Sequence, residues 1–167
     1  MINFNSRAFT IVETLIASAI IIVVIAGSLS FYLIARSAWI DCSKRVPLQR
    51  KASLAMEKMV RGIDGRNGIR EADAGSVIIT DSDTKIEYTS GIDAKERGFF
   101  LNGSKITYDP DTDPLVTGDE FDMIPEKVSG LTFAVSGSIV TIDLDMHDKV
   151  RDTDINVNLS TKVKIRN

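Results

Sequence analysis

The pattern of apolar and polar positions changes twice along this chain. From Ala8 to Ile34 nearly every residue is Ile, Val, Leu, Ala, Phe or a small polar residue, and none is charged between Glu13 and Arg36. At about 1.5 Å rise per residue, a helix over 14–35 is about 33 Å long, close to the roughly 30 Å hydrocarbon core of a bilayer. Further on, Leu48, Ala52, Ala55, Met56, Met59, Val60 and Ile63 recur at spacings of three and four. Gln49, Arg50, Lys51, Glu57, Lys58 and Arg61 fill the other positions. This spacing predicts an amphipathic helix over 48–63 that buries one stripe. Pro47, which lacks a backbone donor, is expected to bend the helix, and Gly62, Gly65 and Gly68 to end it.

From Ser76 the period falls from 3.6 to 2. SVIIT (76–80) and KIEYT (85–89) read as short strands. FFLNGSKITY (99–108) reads as a hairpin turning on Asn102-Gly103, and LTFAVSGSIVTIDLDM (131–146) as a second turning at Ser136-Gly137-Ser138. In INVNLSTKVKI (155–165), Ile155, Val157, Leu159, Thr161, Val163 and Ile165 share one face. Such alternation predicts an antiparallel sheet over 76–167 with one face buried, covered by the 48–63 stripe. The expected class is α+β.

Composition changes this picture little. The 167 residues are 44% apolar and 26% charged, ordinary for a globular chain, and enough remain after the first 40 for one modest domain. The net charge of −3 gives no support to general nucleic-acid binding. Residues 44–70 nonetheless hold eight basic and two acidic side chains, read as a solvated helix face or a contact for acidic subunits. With Cys42 as the sole cysteine, no intrachain disulfide can form, and the residue reads as a small packing group.

Glu13 is the position that asks for a function. An ionised carboxylate in hydrocarbon costs at least about 2.5–3.5 kcal/mol and calls for a partner. No Lys or Arg lies one or two turns above it. A secreted signal peptide does not fit, because the run exceeds a normal h-region and lacks a small-x-small cleavage signal after it. A plain signal anchor explains the length but not the acid.

Met1–Arg7, then Ala8, then Phe9-Thr10-Ile11-Val12-Glu13 opening an apolar helix resembles the N-terminus of type IV pilins and type II secretion pseudopilins. The family usually carries Gly where this chain has Ala8. The resemblance implies a leader over 1–8, cleavage between Ala8 and Phe9 by a prepilin peptidase, and methylation of the new amine on Phe9. Glu13 would pair with the Phe9 ammonium of a neighbouring subunit, which fits the cost of leaving a buried charge alone. It further implies an assembly helix over 9–40 and a pilin-like domain over 41–167. The partners would be other pilin or pseudopilin subunits, the peptidase and an inner-membrane assembly platform. The subunit would sit in the bacterial cytoplasmic membrane before entering a fibre, with its C-terminal domain outside. Basic residues after the apolar run, from Arg36 to Lys51, oppose that orientation by the positive-inside rule; the motif supports it. The closing LSTKVKIRN (159–167) is similar to the minor pilin and pseudopilin group around PilW and pseudopilin J. The alternative is a membrane-anchored extracytoplasmic binding domain that never polymerises. A competence-type pilus shares the fold and differs only in having DNA as partner.

The remaining candidates are weaker. Asp109, Asp111 and Asp113, with Glu120 further on, echo a calcium loop, but Pro114 replaces its turn glycine, so a polar turn over 109–120 is expected. His147 reads as a surface residue in a charged loop, and Asp143 and Asp145 as solvated strand carboxylates. No nucleophile motif or phosphate loop is present, and neither an enzyme nor a cofactor or metal site is expected.

Overall fold

The computed structural model describes residues 10–112, 120–124, 126–150 and 153–166. The fold is α+β: one long N-terminal helix and two antiparallel sheets. The chain divides into two compact units, residues 1–42 and 43–167. Helix α1 (Ile11–Arg61) contributes to both and runs through Pro47 as one element. It ends where Gly62 takes φ +104°, with its N–H donating to the Lys58 carbonyl at 2.8 Å. A Cβ at Gly62 would lie 1.7 Å from the Arg66 carbonyl oxygen, so only glycine fits this reversal.

Within the second unit, α1 buries Leu48, Ala52, Ala55, Met56 and Met59, the stripe that the spacing predicts. The first sheet has the order β1 (Ile78–Thr80), β2 (Lys85–Thr89), β3 (Glu96–Asn102), β4 (Lys105–Asp109), β5 (Phe121–Ile124). Its register sets Ile86 opposite Phe99, Phe99 opposite Tyr108 and Tyr108 opposite Phe121. With Tyr88 these form an aromatic row, with successive ring centroids 6.2, 4.9 and 5.3 Å apart. The second sheet is β6 (Val128–Ser136), β7 (Ile139–Val150) and β8 (Thr153–Lys164). Leu131, Leu144 and Leu159 lie across it in register, as do Val135, Val140 and Val163. The helix stripe and the apolar faces of both sheets form one core.

Both hairpins turn where expected, with Gly103 at φ +62° and Gly137 at φ +60°. Two expectations need correction, and one strand carried no expectation of its own. The strands form two sheets, not one: after β5 the chain passes Lys127, at φ +73°, and β6 pairs with β7 rather than continuing beside β5. Phe121–Ile124, which follows the polar turn expected over 109–120, is a strand bound to β4 with a bulge between Ile106 and Thr107. His147 lies in β7 opposite Asn156, because β7 and β8 extend beyond the predicted hairpin.

Candidate functional site

The first unit carries the feature that demands an outside partner. Every described residue from Thr10 to Trp39 is exposed, including Ile11 at 81% and Phe31 at 74%. Of the apolar window within α1, long and apolar enough to cross a membrane, none is buried in the chain. A contiguous apolar surface of this extent marks a membrane or protein interface. Its polar side chains are compatible with either. The hydroxyls of Ser18, Ser28, Ser30 and Ser37 donate to the carbonyls of Leu15, Val24, Ala26 and Ile34 at 2.8–2.9 Å, so each is satisfied within the helix. Trp39, 75% exposed, stands about 42 Å along the axis from Ile11, the distance from one headgroup region to the other.

Glu13 lies in the first turn of α1, and its carboxylate has a local partner in Thr10. Thr10 donates to Glu13 Oε2 from its backbone N–H at 3.0 Å and from its hydroxyl at 3.1 Å, while the Glu13 N–H donates to Thr10 Oγ1 at 3.2 Å. This reciprocal pair is a capping box, and Thr10-x-x-Glu13 was its readable signal. The box satisfies donors at the helix start, where the positive end of the dipole also favours an acid. It leaves the negative charge in place, still requiring a cation if the turn enters hydrocarbon. Ala8 and Phe9, the expected cleavage and methylation positions, lie outside the described residues, as does the rest of the leader 1–8. Cys42 is exposed, not packed.

In the second unit, Arg97 is the functional-looking residue that the sequence did not single out. It lies opposite Tyr88 on the core face of β3, with its side chain 3% exposed. Its guanidinium donates to Asp93 through both terminal nitrogens, Nη1 to Oδ1 at 2.9 Å and Nη2 to Oδ2. That pairing holds the Asp93 carboxyl well below the usual range, while burial pushes the Tyr88 and Tyr108 hydroxyls up. Tyr88 donates to the Asn67 carbonyl at 3.0 Å, and Asn67 donates to the buried Ser90 at 3.0 Å. These bonds tie the loop after α1 to the first sheet. The pair is half-buried, a buried guanidinium held by an exposed carboxylate.

The acidic run behaves as a turn where it is described: Asp109 Oδ1 accepts from the Asp111 N–H at 3.1 Å. Asp113 and Pro114 lie outside the described residues. Among the described residues no three His, Cys, Asp or Glu side chains form a metal-binding group. Asp145 accepts from Asn158 and His147 meets Asp154 at 3.2 Å, both as surface contacts. No protein-family model, curated protein or solved structure matches the chain.

Proposed function

We propose that this chain is a structural subunit of the pilin and pseudopilin kind, held in a membrane by residues 9–40 and later packed through the same helix into a fibre. The observation that carries the reading is an apolar helical segment with none of its described residues buried, opened in the sequence by Phe9-Thr10-Ile11-Val12-Glu13. Lipid covers that surface before assembly, and neighbouring helices cover it afterwards. Cleavage before Phe9 creates the ammonium that Glu13 lacks, so the ion pair forms only between subunits and fixes their register. The α+β domain faces outward and carries contacts rather than catalysis. The prepilin peptidase and an inner-membrane platform are the partners this route requires.

The capping box favours a second reading, in which Glu13 serves the helix start alone and the chain is a membrane-anchored binding domain. Two substitutions separate them. Glu13→Gln keeps the acceptor a capping box needs but removes the charge, whereas Glu13→Val removes both. Both variants should enter the membrane and fail to enter fibres. Incorporation of Glu13→Gln at the wild-type level would contradict the intersubunit ion pair.

A further inference from the structure

We infer that the outer edge of β8 is a docking site for an extended acidic segment of another protein, which adds to the second sheet as a fourth strand. β8 has 12 residues and among the described strands pairs only with β7, whereas the edge strands of the first sheet have 3 and 4 residues. The opposite edge strand, β6, is partly occupied, because the Phe133 N–H donates to the Asp83 carbonyl at 2.8 Å. Beyond Lys164 this edge meets the segment after α1: Arg166 forms a parallel bridge to Asp73, and its N–H donates to the Arg70 carbonyl at 3.2 Å. A long edge with unpaired backbone groups is a template for another strand.

An open hollow of about 310 Å³ lies along this edge, lined by Val60, Arg70 and the four successive residues Thr161, Lys162, Val163 and Lys164. Successive strand residues point to opposite faces. A hollow that touches four in a row therefore lies against the strand's backbone edge rather than over one face. It adjoins a second hollow of about 460 Å³ that shares Arg70 and Lys164 and adds Arg166. Arg70, Lys162, Lys164 and Arg166 are all exposed. Among the described lining residues the one acid, Glu71, meets Arg166 Nη1 at 3.3 Å. The cations select an acidic guest, and the backbone edge selects an extended one. A second copy laid antiparallel on β8, centred on Leu159, offers Asp154 to Lys164 but leaves Lys162 and Arg70 unmatched. The acidic partner is therefore the better complement.

The site lies wholly within the second unit and does not rest on the membrane reading. The test uses the full chain in zwitterionic detergent and a fluorescein-labelled octapeptide of alternating Glu and Val. Saturable binding by fluorescence anisotropy is expected, weakened about tenfold or more by Lys162→Glu with Lys164→Glu, and independently by Arg70→Glu. Urea midpoints of the variants confirm that these exposed changes leave the fold intact. Two further peptides are N-methylated at odd or at even positions. Strand addition uses one edge of the peptide, so one should bind as the parent does and the other should lose binding. Absence of saturable binding overturns the inference. So does equal binding of both methylated peptides, which would mean charge attraction without strand pairing. A dimer in detergent that the parent peptide fails to displace would assign the edge to a second copy and overturn it as well.

Discussion

Residues 11–42 and the domain from Ser43 onward use similar apolar side chains to opposite ends. In the domain, apolar positions come at helical or alternating spacing, and Met59, Ile86, Phe99, Leu131 and Ile142 are completely buried by the chain itself. In the first unit, apolar residues occupy every face of the helix, and Ile11 through Trp39 remain exposed. Periodicity marks apolar surface that the chain covers, and its absence marks surface that the surroundings must cover. The first unit leaves its apolar surface exposed, and the second buries its own in one core.

The comparison breaks most visibly at Val23, which is 71% exposed in the middle of the apolar run. Val23→Arg places a charge mid-span at a cost of at least about 2.5–3.5 kcal/mol in lipid. The chain should leave carbonate-washed membranes while the urea midpoint of its domain stays unchanged. Retention of the variant in the membrane pellet would show that lipid does not cover this helix. The converse change is Phe99→Ala, at the centre of the aromatic row, which should cost the domain about 3–5 kcal/mol by urea unfolding and leave membrane retention intact.

A smaller effect is expected at the helix end. Gly62→Ala meets the Arg66 carbonyl and demands a left-handed alanine, so a loss of about 1–3 kcal/mol should appear in the same unfolding measurement. A neutral result would mean the 62–68 reversal rearranges freely. The smallest effect is with pH. Asp93, Asp122 and Asp148 have lowered carboxyl pKa values, through hydrogen bonds from Arg97, Lys105 and Lys127 respectively. Because each folded value lies below the unfolded one, the unfolded chain binds more protons in acid. Their contribution is complete above the ordinary value of 3.8 and is lost as pH falls from there through the folded values. Urea midpoints that hold constant from neutral pH down through that window would contradict these pairings.

Much of the domain was legible because its signals are local and repeat. Leu48 to Met59 form the buried stripe, and Gly103 and Gly137 make their turns where the strand pattern places them. What stayed hidden depends on pairing at a distance. Nothing in VSGLTF says that β6 will join β7 and β8 rather than extend the first sheet. FDMI is too short to show a period, and its strand identity comes from Ile106, Thr107 and Tyr108 beside it. Arg97 reads as polar in ERGFF, yet its side chain is buried and meets Asp93, which stays exposed in the turn before β3. At the candidate site, the length of the apolar run and the isolation of Glu13 were legible. Thr10 was equally visible, but its role emerges only once the first turn closes.

We propose that the exposed helix belongs to a processed, assembling subunit. Intact mass with N-terminal sequencing of the protein from native membranes tests it most directly. The expected product is a chain that begins at Phe9 and carries one extra methyl on its amine. A chain that still begins at Met1 would contradict it, and would leave a membrane anchor whose Glu13 does no more than cap its own helix.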